Sequence, residues 1–167
     1  MRFFLIISML GLQELPNNTE YVHNKAVTKS YQAKVVGVSD GDTITVLTEQ
    51  KERIKIRFDS IDAPESKQAF GKRAKQALSE SIFGKTVTVQ EVGKDRYKRT
   101  LAFVKLDGKD VATAMVKNGF AWEYKRYSDS DTLSDLQAVA KKAKVGLWKQ
   151  DAVAPWEYRK RKTKTLR

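Results

Sequence analysis

The chain has 167 residues, 41% of them hydrophobic and 31% charged, with a net charge of +12: one domain with a closed core rather than a disordered chain. It has no cysteine and a single histidine, His23, which excludes disulfides, thiolate zinc sites, cysteine nucleophiles, histidine-based triads and a core of histidine metal ligands. The cation excess favours a polyanion, nucleic acid or an anionic membrane surface alike, by attraction to phosphate and release of counterions.

Met1–Arg2 and the apolar run Phe3 to Leu12 read as the start of a secretory signal. The run is about half of the ~20 residues that span a bilayer, so no stable membrane span is expected. Met9 and Gly11 make a poor cleavage site; an N-terminal strand or a cloning remnant is the plainer alternative. The expected location is secreted or periplasmic, with retention through an uncleaved apolar segment as a variant. Residues 1–30 are read as leader and polar linker, 31–150 as the folded domain and 151–167 as a basic tail.

Within the domain, Ala33 to Ser39 and Thr43 to Leu47 are β-rich and flank the turn residues Asp40–Gly41. Arg53 to Phe58 alternates, with Ile54, Ile56 and Phe58 on one face and Arg53, Lys55 and Arg57 on the other, which puts Arg57 outside the core. Ser66 to Phe83 has helical spacing, with Ser66 as its cap. Two further strands, Lys85 to Val92 and Thr100 to Leu106, precede a short helix from Val111 to Val116. The last helix is expected over Thr132 to Lys144, capped by Asp131 and stopped by Gly146. Three strands, a helix, two strands and helices is the order of an α+β OB-fold: a five-stranded β-barrel with three appended α-helices. From Glu157 onward six Lys or Arg face one Glu, and this tail is read as a solvated, disordered end without a catalytic group.

The chemistry gathers in four short pieces. Asp40–Gly41–Asp42–Thr43 opens the second strand, Arg57 ends the third, Ile61–Asp62–Ala63–Pro64–Glu65 follows it, and Asp95 to Arg99 precedes the fifth. A hard cation needs oxygen ligands, which Asp42 and Asp62 offer. Glu65 can accept a proton from water, and Arg57 and Arg99 offer planar forks to phosphate oxygens. Together this is the equipment of metal-assisted phosphoryl transfer. Singly, each piece has a plainer reading: hairpin turn, acidic helix entry, surface arginine.

The stretches D-G-D-T, I-R-F-D-S-I-D-A-P-E, D-R-Y-K-R-T-L-A, N-G-F-A-W and K-V-G-L-W resemble the staphylococcal nuclease family from about Ala33 to Trp148, and P-W-E-Y-R resembles its secreted bacterial members. The resemblance implies calcium bound by Asp42, Asp62 and the backbone carbonyl of Ala63, with Glu65 as general base. Arg57 and Arg99 would be the arginines on phosphate. It further implies cleavage of DNA and RNA to 3′-phosphate ends; a monomer without a protein partner is expected. Within Tyr124–Lys125–Arg126–Tyr127 the family has tyrosines beside the substrate; Tyr127 is preferred and Tyr97 is the second candidate, with packing as the alternative role. Ala63 stands where threonine is commoner, and Lys98 where many members have glycine, so the loop presenting Arg99 is expected to differ there. Asp129 and Asp131 do not make an EF-hand, since Ser134 and Ala140 sit where Gly and Glu are needed; capping the last helix is their plainer role. The competing function is a non-catalytic OB-type module that binds nucleic acid through a basic, aromatic face.

Overall fold

The computed structural model describes residues 25–165, so the leader expected at the N-terminus lies outside the described residues. β1 (Lys29–Asp40), β2 (Thr43–Leu47) and β3 (Arg53–Phe58) form an antiparallel meander. β4 (Ile61–Asp62) is a two-residue strand, followed by α1 (Gly71–Ile82), β5 (Thr86–Lys94) and β6 (Thr100–Leu106). β5 pairs antiparallel with both β1 and β6, and β6 then meets β3 in parallel, joining Ile56 to Thr100 and Phe58 to Ala102. That parallel contact closes the five strands into the expected barrel.

Alternation fills the barrel: Val35, Ile44, Val46, Ile56, Phe58, Val89 and Val104 are all buried in one core, each contributing ~1.5–3 kcal/mol relative to exposure. Leu78 and Ile82 of α1 join the same core, as do Val111, Met115 and Val116 of α2 (Val111–Lys117). β7 (Lys109–Asp110) extends the sheet beside β6, and β8 (Trp122–Glu123) pairs with β4. α3 (Asp131–Lys142), a single 3-10 turn (Gly146–Lys149) and α4 (Pro155–Thr165) complete the chain.

Several elements depart from the sequence reading. α1 begins at Gly71, not at Ser66, and its N-cap residue Phe70 has φ 71° and no side-chain cap. The intervening residues form two tight turns, in which Gln68 N–H donates to Glu65 O (2.8 Å) and Gly71 N–H to Gln68 O (3.0 Å). A Cβ on Gly71 would lie 1.9 Å from Glu65 O, so the close approach demands glycine. α3 is capped by Ser130, whose hydroxyl accepts from Leu133 N–H (3.1 Å), while Asp131 lies in the first turn, where it complements the helix dipole.

The largest correction concerns the tail. Residues 155–165 are a fourth helix rather than a disordered end, and it is docked by aromatic contacts. Trp156 stacks on Tyr124 (5.3 Å between centroids, 7° between planes) and meets Trp122 edge-on at 5.6 Å. Trp122 also packs edge-on against Trp148 at 4.2 Å. Contacts of this kind contribute about 0.5–1.5 kcal/mol each beyond area burial. Among the described residues no helix is long and apolar enough to cross a membrane.

Candidate active site

The barrel's topology assembles the site at one end. Asp40 pairs with Thr43 across a turn made by Gly41 and Asp42, and Thr43 pairs with Arg57, which brings Asp42 beside the end of β3. Since β6 runs parallel to β3 from Thr100, Arg99 arrives at that same end. β4 then carries Asp62 across the opening. Gly41 permits this, because a Cβ there would stand 2.7 Å from Ala63 Cβ and 2.8 Å from Ala74 Cβ.

Asp42, Arg57, Asp62, Ala63 and Glu65 line one cleft of ≈ 670 Å³, and Tyr97, Arg99 and Tyr127 complete its wall. The structure therefore brings together every residue singled out from the sequence. Arg57 departs from expectation. It is only 9% exposed, because the loop after β3 folds back over the strand's polar face. Its Nη1 donates to Phe58 O (2.7 Å) and Ile61 O (2.9 Å), and its Nη2 to Asp62 Oδ1 (3.0 Å), with Asp42 Oδ2 at 3.1 Å. Arg57 is thus a buried strut as well as a cation facing the cleft.

Asp42 and Asp62 are both buried. Asp42 Oδ1 accepts from Thr43 Oγ1 (2.9 Å) and Oδ2 from Ala63 N–H (2.6 Å). Burial pushes the Asp42 carboxyl up to about 8; Arg57 opposes this, and the neighbouring Asp40 and Asp62 add to it.

An oxygen-only donor set of that kind fits a hard divalent cation better than a soft one. Among the described residues no three acidic or histidine side chains converge tightly enough to enclose an ion. Water and a carbonyl would have to complete the shell around Asp42 and Asp62, an arrangement that a large, flexible ion such as calcium tolerates.

The Arg99 loop is built on Asp95. Asp95 Oδ1 accepts from Tyr97 N–H (2.8 Å) and Arg99 N–H (3.0 Å), and Oδ2 accepts from Arg99 Nε (2.7 Å). Burial opposes ionisation of Asp95, but these donors outweigh it and hold the carboxyl below its usual range. Lys98 has φ 61°, so lysine adopts the left-handed conformation that glycine would take more easily, and the loop turns without glycine. Tyr97 and Tyr127 are exposed at the rim, with Arg99 5.6 Å from the Tyr97 ring.

Two contributions escaped the sequence reading. Glu123, fully buried, accepts from Ser128 Oγ (2.8 Å) and Ser134 Oγ (2.9 Å), and it fixes the loop that carries Tyr124 and Tyr127. Arg159 of α4 reaches into the cleft. Its Nη2 donates to Asp62 Oδ2 (2.7 Å), and its Nη1 to Glu65 Oε1 (2.7 Å) and Asp62 Oδ1 (3.2 Å). Burial works against its charge, but Asp62 and Glu65 keep it firmly protonated. The available signal was Trp156 and Arg159 within P-W-E-Y-R, which the surrounding lysines and arginines made look like solvated charge. Below the site, Gln68 bridges two segments: its Oε1 accepts from Glu65 N–H (3.2 Å), and its Nε2 donates to Val153 O (2.6 Å).

The profile of the staphylococcal nuclease homologue family matches residues 55–150. An uncharacterized endonuclease of Haemophilus influenzae is 42% identical over 128 residues, 76% of this chain and 72% of that protein. One of Escherichia coli O157:H7 is 44% identical over 131 residues, 77% of this chain and 85% of that protein. A micrococcal nuclease of Shigella flexneri is 36% identical over 142 residues, 78% of this chain and 81% of that protein. With the barrel and the matched stretch of sequence agreeing, this chain belongs to the staphylococcal nuclease family, and its enzyme class is that of a nuclease.

Proposed function

We propose that this nuclease is calcium-dependent and hydrolyses phosphodiester bonds of both DNA and RNA, leaving 3′-phosphate ends. The observation that carries this reading is the pair of buried carboxylates, Asp42 and Asp62, sharing Arg57 on the cleft floor with Glu65 at its edge. Calcium held by Asp42, Asp62 and the Ala63 carbonyl would neutralise charge on the phosphate and lower the cost of ionising a water. Glu65 takes that water's proton as its oxygen bonds to phosphorus. The bond from phosphorus to O5′ breaks, and the departing oxygen takes up a proton. Arg57 and Arg99 hold the equatorial oxygens, whose charge peaks in the transition state. Tyr97 and Tyr127 border the path of the neighbouring nucleotides, where rings stack without base preference.

A non-catalytic binding module has no use for two acids buried on an arginine beside a half-exposed glutamate. The signal-like start of the sequence supports export, secreted or periplasmic. The decisive experiment is cleavage of plasmid and of RNA with calcium, with magnesium and with chelator. Cleavage with calcium, little with magnesium and none in chelator is expected; full activity in excess chelator removes the metal mechanism.

A further inference from the structure

The carboxylate that a cation would use is already occupied by one the chain provides. Both oxygens of Asp62 accept from Arg159, and the second arm of the same guanidinium holds Glu65. Arg57 also donates to Asp62 Oδ1 (3.0 Å), so two arginines share Asp62. A divalent ion on Asp62 and a guanidinium 2.7 Å from Asp62 Oδ2 would be strongly repelling neighbours in a partly buried site.

The two arginines are not equivalent. Arg57 is locked by the carbonyls of Phe58 and Ile61 and has nowhere to go. Arg159 has a side chain 43% exposed, its partners in the cleft among the described residues are Asp62 and Glu65, and it projects from a helix docked through Trp156. It can withdraw while its helix stays in place. Arg159 also holds Glu65 Oε1, one of the two oxygens that could accept a proton from water.

We propose that Arg159 is a built-in counter-cation of the metal site, holding Asp62 and Glu65 while no divalent ion is bound and exchanging with that ion on the Asp62 carboxylate. The proposal rests on the calcium reading above and adds a competitor to it. Binding of the ion then does two jobs: it charges the site and it frees the base. The apparent affinity for the ion is reduced by the fraction of molecules in which Arg159 occupies the site.

The test is calcium titration of the full chain by calorimetry, for the wild type, Arg159→Gln, Trp156→Ala and Lys160→Gln. Trp156 packs on Tyr124 and Trp122, so its removal acts through the docking of α4. Lys160 lies on the same helix and pairs with Glu157, so Lys160→Gln controls for lost net charge. Arg159→Gln should tighten calcium about tenfold if Arg159 occupies the site nine times in ten, and Trp156→Ala should tighten it in the same direction. Lys160→Gln should change it less than twofold. Thermal melts give a second readout: the metal-free Arg159→Gln protein should melt lower, and calcium should raise its melting point more than that of the wild type. Unchanged or weaker calcium binding in Arg159→Gln overturns the exchange while leaving the calcium mechanism standing. Equal tightening by Lys160→Gln reduces the effect to net charge and overturns it too. Calcium bound by none of the four proteins overturns both readings.

Discussion

Glu65 and Asp42 show how differently two acids behave within one cleft. Glu65 is half exposed at its rim, and replacing it with glutamine keeps its size and costs the fold little. Its proposed task exists only in the transition state, so Glu65→Gln should lower single-turnover cleavage ~10²–10⁴-fold while nucleic-acid binding stays near the wild-type level. Near wild-type cleavage would remove Glu65 from the role of base. Asp42 is buried, and its folded-state carboxyl is raised to about 8 from 3.8. The folded protein therefore holds a proton that the unfolded chain releases, and stability must fall as pH rises through that window. In chelator the melting temperature should drop between pH 5 and pH 8. Saturating calcium should flatten or reverse the slope, because the ion takes over the proton's task. A melting temperature that rises with pH in chelator would contradict the assignment.

At the scale of elements, turns set the site more than strands do. The hairpin between β5 and β6 holds Lys98 at φ 61° to deliver Arg99. Lys98→Gly should keep activity and stabilise the fold by at most about 1 kcal/mol, read from denaturant midpoints. If glycine instead lowers activity sharply, the lysine side chain has a role of its own. Gly41→Ala should act in the opposite direction, since its methyl meets Ala63 and Ala74 well inside contact distance. A loss of about 1–3 kcal/mol is expected, together with a misplaced Asp42 and weaker calcium binding.

The strands were legible because alternation and turn residues are local. The early turns of 65–70 were not, because their shape follows from Gly71 packing on Glu65 O, a contact that no periodicity reveals. α4 was illegible for another reason. Its anchors include Trp156 and Arg159, and both reach residues far away in sequence.

For the whole molecule, the identity of the cleft residues was readable while their meeting was not. Arg99 joins Asp42, Arg57 and Asp62 because β3 and β6 pair in parallel, a choice of topology that strand patterns leave open. The buried placement of Arg57 likewise depends on the chain folding back after β3, so alternation could only set it outside the core. The charge of +12 belongs to this scale too. Binding of duplex DNA should weaken linearly in log salt. Residues 160–167 hold five Lys or Arg, so deleting them should reduce the salt slope by no more than about 4.5 units. A larger loss would mean that the deletion has also undocked α4 and Trp156 from the cleft.

The parallel seam between β3 and β6 also sets an order in time. Ile56 and Thr100 become neighbours only after everything between them has folded or looped out of the way. Until that seam forms, Arg99 stands apart from Asp42, Arg57 and Asp62, and the site is incomplete. Synthesis proceeds from the N-terminus, so the barrel can close before Arg159 has been made. For that interval the cleft exists with Arg57 on its acids but without Arg159, which arrives only with α4.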